Sequence, residues 1–295
     1  QVATLAQVRS VPEPRWSPQR PRAGWCLQRH SEGAMAAGLL RSWRLRPSPL
    51  QLQLHLTEDI VRSPPHGRCH VLVNPGNEAL VGTKLPYFPM RVEPPRELQS
   101  SRWCGMEIGE HMFYPMQVVD GRVHAMGGPE LLEACQSLPE LRPGIRCPVG
   151  QAVATMATGE LRRCYARIVH TVPPLFESQQ WEADLRGCYA SALDLGLQAA
   201  AELSAADGME PSLALPLLGA GARGAPVADA AAVAAVSLVS FGLRGLSAPG
   251  GEAKICLAVR EEAVLAQIEA EVERELGKPD VCELPRCSGG IEVQT

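Results

Sequence analysis

Two groups of residues in this chain could do chemistry. One is Gly219-Ala220-Gly221-Ala222-Arg223-Gly224, a G-x-G-x-x-G run between a strand-like and a helix-like segment. Glycines there allow tight turns and let backbone N–H groups approach a phosphate, and a following helix adds partial positive charge. The other is Val73-Asn74-Pro75-Gly76-Asn77-Glu78, at the end of an apolar run. Asn74 and Asn77 are the only asparagines in a chain rich in Ala, Gly, Pro and Arg, with three lysines. An ordinary turn is the bland reading of such a pair. A side-chain amide is also donor and acceptor on one planar group, which Asp and Ser do not supply.

The glycine run on its own suggests a dinucleotide fold, and three facts oppose that. It lies late in the chain, the next strand ends about 35 residues on where ~20 is usual, and Arg260 rather than an acid follows. Cys282 and Cys287 lack a second pair, whereas zinc sites normally take four ligands. No metal and no cofactor are expected.

The elements that must position these groups alternate in type. Leu50, Leu52, Leu54 and Leu56 alternate with polar residues, which predicts a half-buried strand where order begins. Residues 69–74 read as a buried strand, and 84–116 as a packed insertion dense in Pro and aromatics. A helix follows Gly128-Pro129, and 152–158 and 165–172 look extended. A helix from Trp181 to about Leu203 then leads to a strand at 212–218. Beyond it lie a helix at 226–242, a strand at 254–259 and a helix at 261–276 that Gly277 closes. Such alternation implies an α/β sheet flanked by helices.

Composition bounds the rest. The chain has 295 residues, a formal charge of -4 and 45% hydrophobic residues, enough for a substantial core. The balance of charge argues against a nucleic-acid partner, and no run of ~18 apolar residues offers a membrane span. Ten scattered cysteines in a chain of this length read as reduced thiols inside a cell, cytoplasmic or nuclear. Residues 1–47, rich in Pro, Arg, Ser and Gln, read as a disordered leader, and 278–295 as a flexible tail. The sequence opens on Gln, so Met35 is a candidate start. The basic segment that follows it also fits an organellar transit peptide, less well than a disordered arm.

Set side by side, the motifs resemble those of the macrodomain family, the ADP-ribose-binding α/β/α module. Val73-Asn74-Pro75-Gly76-Asn77 resembles the family's Val-Asn-Ala-Ala-Asn, and Glu58-Asp59-Ile60-Val61 matches its acidic turn in part. Val119-Asp120-Gly121-Arg122-Val123-His124 resembles Val-Asp-Gly-Ala-Ile-His, and Gly127 to Leu131 resembles the segment after it. Cys147 to Ala152, Ile168 to Pro173 and Pro216 to Pro226 resemble three further motifs, all in family order over residues 50–277.

The resemblance implies a three-layer α/β/α fold with a central mixed sheet over 48–277, and ADP-ribose or an ADP-ribosylated protein as partner. It implies that Asp59, beside Ile60, accepts from the adenine amino group, and that residues Gly219 to Gly224 cradle the diphosphate. Asn74 belongs to the same binding set, and Asn77 and Asp120 would face the distal ribose. Hydrolysis of the ADP-ribosyl bond would run through Asp120, which Gly121 lets the backbone aim, with Asn77 holding the ribose. His124 and His170 are expected to shape the core. The chain also departs from the pattern. Tyr114 to Val118 replaces a glycine run, Gly219-Ala220 replaces Ser-Thr, and Arg223 and Val259 stand at aromatic positions. A non-catalytic interaction module with a degenerate cleft is therefore the second reading. A monomer is expected.

Overall fold

The computed structural model describes residues 38–45, 47–83, 118–244 and 252–277, and the backbone of Val293–Gln294. All lie in the unit Ala34–Thr295. The expected insertion at 84–116 lies outside the described residues, as do the leader up to residue 37 and most of the tail.

Strands β1 (Gly38–Leu45), β2 (Leu50–Leu56), β3 (Val71–Pro75), β4 (Ala152–Met156), β5 (Arg167–Thr171), β6 (Ser212–Leu215), β7 (Ala253–Val259) and β8 (Val293–Gln294) form one sheet. Its order is β4-β5-β3-β6-β7-β2-β1-β8. Neighbours from β5 through β2 run parallel, while β4, β1 and β8 are antiparallel. Helices α2 (Trp181–Asp207), α3 (Val227–Leu243) and α4 (Glu262–Leu276) bury Leu193, Ala234 and Ile268 against one face. Helix α1 (Val119–Gln136) buries Val123 and Leu131 with Leu72 and Ile168 on the other. The expected three-layer α/β/α architecture is therefore present, with a mixed sheet at its centre.

Three sequence expectations change. The sheet already includes Gly38–Leu45, ahead of Leu50, because β1 pairs with the outer edge of β2. Arg41, Ser42 and Arg44 obscure its apolar pattern, yet Trp43 and Leu45 are 1% exposed and pair with Leu52 and Leu50. Leu45 rests on α3 where Gly242 leaves room; an added Cβ there would lie 2.5 Å from Leu45. In the tail, the backbone of Val293–Gln294 pairs with β1.

Strand β2, expected half-buried, is buried on both faces: Leu50, Leu52 and Leu54 join one core, and His66 packs against Gln53 and His55 on the other side. Its polar side chains bond one another in part: Gln53 donates to Gln51 Oε1 at 3.0 Å, and His55 Nε2 lies 3.1 Å from Gln53 Oε1, while His55 Nδ1 has no partner among the described residues. Burial lowers the His55 pKa to about 4, with help from His66.

Helix α1 starts ten residues earlier than expected. Gly128, at φ 70° and ψ -169°, kinks it just before Pro129, so the expected helix is its second half. Asp120 and Gly121 lie in its first turn rather than in a sharp bend. An acid there meets the positive end of the helix dipole. Gly277 closes α4 with φ -82°, so it does not use the left-handed freedom of glycine, whereas Gly208 closes α2 at φ 74°.

If β1 is part of the core, truncating its largest side chain should cost as much as a central one. Trp43→Ala should lower unfolding free energy by about 3–5 kcal/mol in urea titrations. An unchanged midpoint would return β1 to the leader.

Candidate functional site

The parallel strands all end at one rim of the sheet, where open α/β sheets place ligands. Thr57 to Ile60 leave β2, Val259 to Glu261 leave β7, and Pro216, Leu217, Ala220 and Gly221 follow β6. Together with Val119 and Arg122 of α1 and with Val227 and Val264, these line a cleft of about 250 Å³. Of the expected site residues, Asp59, Ile60, Ala220 and Gly221 line it.

The glycine loop is shaped as the motif requires. Gly219 and Gly224 have φ of 84° and 80°, a region that side chains disfavour. Gly224 N donates to Gly221 O at 3.0 Å and Ala225 N to Gly219 O at 3.1 Å. The N–H groups of Ala220 and Ala222 have no partner among the described residues. Beyond the loop α3 begins, without a side-chain cap on its first turn.

Asp59 lines the cleft with its carboxylate already engaged. Its Oδ1 accepts from Val61 N at 3.0 Å and Arg62 N at 3.4 Å. Its Oδ2 lies 3.0 Å from Arg122 Nη1, across from α1. The resemblance puts alanine at position 122, so this arginine and its pairing escaped the sequence reading. Arg260, also on the rim, was noted only as a missing acid. Ile60 is fixed by its carbonyl, which accepts from the buried Tyr165 hydroxyl.

Beneath the rim lies a dry polar hub. Asn74 is 0% exposed and does not line the cleft. Its Nδ2 instead donates to Asp120 Oδ1 at 2.8 Å and to His170 Nδ1 at 3.1 Å. Those bonds make His170 Nδ1 an acceptor and leave Nε2 the protonated nitrogen, 2.9 Å from Thr155 Oγ1. Burial, with His124 adding to it, lowers the His170 pKa to about 3.

Asp120 is 2% exposed, and its second oxygen accepts from Thr83 Oγ1 at 2.8 Å. Its carboxylate is thus aimed inward, at Asn74 and Thr83, because Gly121 is helical rather than turning. Asn77 is also occupied. Its amide donates to Gly82 O at 2.9 Å and accepts from Val81 N at 3.3 Å, closing the turn after β3. For Asn77 the plain turn reading describes what the structure holds.

Arg223 leaves the glycine loop and donates to Gly76 O at 3.0 Å. Burial lowers its pKa, and the Asp120, Cys188 and Glu78 charges oppose that shift. The guanidinium therefore bridges the loops after β3 and β6 rather than facing the open cleft.

The family model of the Macro domain matches residues 111–234. Over those residues the chain resembles the macro-domain family. A macro domain-containing protein of Xanthomonas campestris is 37% identical over 118 residues, 39% of this chain and 59% of that protein. One of Streptomyces griseus is 44% identical over 117 residues, with the same coverage of both chains. The O-acetyl-ADP-ribose deacetylase of Escherichia fergusonii is 35% identical over 125 residues, 42% of this chain and 63% of that one. The matches thus span about three fifths of these relatives' own length.

Among solved structures, the Oceanobacillus iheyensis macrodomain with ADP superposes with a TM-score of 0.53 at 20% identity, covering 81% of this chain and 97% of that one. A mutant of it with ADPR gives 0.55 at 21%, covering 82% and 100%. These show the fold. The family match omits Asp59 and Asn74, which the sheet brings back beside the matched motifs. No described helix is long and apolar enough to cross a membrane.

The hub sets a pH dependence. His170 and His55 are held below their ordinary 6.5, so the unfolded chain binds more protons between about 4 and 6.5. Their contribution to stability is complete above pH 6.5 and falls as pH drops towards 4, with a slope approaching two protons. Urea midpoints across that window should show it, and His170→Gln should flatten it. A midpoint independent of pH would contradict the neutral hub.

Proposed function

We propose that the rim cleft binds ADP-ribose, free or attached to a protein. One observation carries this reading: a single cleft joins the Asp59-Ile60 turn to the Ala220-Gly221 loop. Ala220 and Ala222 offer N–H groups without a partner among the described residues, just before a helix N-terminus, which suits a diphosphate. The turn offers an apolar wall, Ile60 and Val259, with a carboxylate beside it, which suits an adenine. The solved Oceanobacillus iheyensis macrodomains with ADP and with ADPR support the same ligand class.

Binding without turnover fits the geometry best. A general base must be within reach of the water it activates, and Asp120 is buried with both oxygens bonded. Hydrolysis remains the second reading, favoured by the likeness to a deacetylase. In it Asp120 would orient water, with Asn77 holding the distal ribose, once a ligand displaced the Arg223 bridge.

Gly221 gives a clean test, because a side chain there would meet nothing within 4 Å of its Cβ. Calorimetry should give micromolar affinity for ADP-ribose, about -8 kcal/mol, and weaker binding of AMP and NAD. Gly221→Glu should abolish it without lowering the melting temperature. No heat at millimolar ADP-ribose would sink the proposal.

The readings separate on a modified protein. The parent chain should bind ADP-ribosylated protein without releasing ADP-ribose. Release that Asp120→Ala abolishes would establish the hydrolase instead.

A further inference from the structure

Three side chains outside the cleft converge on one point. His55 and Cys256 sit on the adjacent strands β2 and β7, and His66 reaches them from the turn that begins at Pro65. One ligand atom from each lies within 4.8 Å of the other two. All three face one oxygen: Gln53 Oε1 is 3.1 Å from His55 Nε2, 2.6 Å from His66 Nε2 and 3.4 Å from Cys256 Sγ.

Hydrogen bonding accounts poorly for this arrangement. An amide oxygen has two lone pairs, and the donation from Gln53 to Gln51 fixes which way its amide points. Three donors therefore converge on two places, and the Cys256 thiol also has Cys69 beside it. His55 Nδ1 is buried and has no partner among the described residues. His66 holds φ 58° and ψ 17°, an uncommon conformation for a non-glycine residue, and with it brings its ring inward. A ligand that accepts electron pairs would satisfy what the oxygen cannot.

We propose that His55, His66 and Cys256 form a binding site for one divalent ion of the zinc class, completed by Gln53 Oε1 or water. Two imidazoles and a thiolate are a zinc-type donor set, and a fourth position can go to an oxygen. The His55 ring is neutral, as a ligand must be, and Cys256 would release its proton on binding. His66 is exposed, which gives the ion a path of entry. Burial first and the Lys254 charge second lower the His66 pKa, and Glu210, paired with Lys254, opposes them.

Such an ion joins the two ends of segment 55–66, which carries Asp59 and Ile60, and would stiffen one wall of the cleft. The ligands lie far apart in the sequence, so no spacing announces them. The expectation of no metal rested on the Cys282 and Cys287 spacing alone.

Cobalt(II), a spectroscopic stand-in for zinc, tests the site in the full, reduced chain. Thiolate ligation should give a sulfur-to-cobalt charge-transfer band. Other cysteines can contribute to the raw spectrum, so the readout is the difference between parent and variant. Cys256→Ser should remove a band corresponding to one equivalent. His66→Ala, on an exposed turn and safe for the core, should weaken binding by more than the ~100-fold at which the cost of losing an outer-shell partner ends. Cys135→Ser tests the other such cluster among the described residues, His124, Cys135 and His170, and should leave the band intact. A parent that takes up no ion, or a band that both Cys256→Ser and His66→Ala leave unchanged, would overturn the site. So would a band lost only in Cys135→Ser. None of these outcomes depends on ADP-ribose binding.

Discussion

One buried primary amide holds the functional end of this molecule together. Asn74 ends β3 with no access to water, and its two N–H bonds go to two different elements, Asp120 on α1 and His170 on β5. A carboxylate could not donate to both, and a hydroxyl has a single proton. Removing one member would leave buried polar groups unpaired, at about 1–3 kcal/mol each. The orientation of α1, and so of Val119 and Arg122 on the cleft wall, follows from this arrangement.

The site therefore divides into a hub and a rim. The hub is dry, polar and fixed, with Asp120 locked by Asn74 and Thr83. The rim is open and made largely of backbone and apolar surface, with the Asp59–Arg122 pair at one end and the glycine loop at the other. Arg223 ties the two loops that flank the distal end through Gly76. A cleft built this way can recognise a nucleotide diphosphate through main-chain N–H groups while keeping its one buried carboxylate away from solvent. That separation is the physical basis for preferring a binding role.

Much of the fold was legible because its signals are local. Alternating leucines marked β2, Gly128-Pro129 marked the second half of α1, and the glycine run marked the loop before α3. Strand β1 was hidden because Leu39 and Leu40 are adjacent and exposed, and Arg41, Ser42 and Arg44 interrupt the buried pair Trp43 and Leu45. The site was less legible because its roles depend on who meets whom. Asn74 and Asn77 look equivalent in sequence, yet one is the buried hub and the other closes a turn. Asp59 was expected to meet a base, but Arg122 reaches it from α1. No spacing rule encodes that pairing.

Amide hydrogen exchange in the presence and absence of ADP-ribose tests the central claim most directly, because it reports where a ligand sits without altering a residue. The account predicts slowed exchange confined to residues 57–61 and 219–224, the two walls of the rim cleft. Binding that leaves both segments unchanged and protects another surface would contradict it.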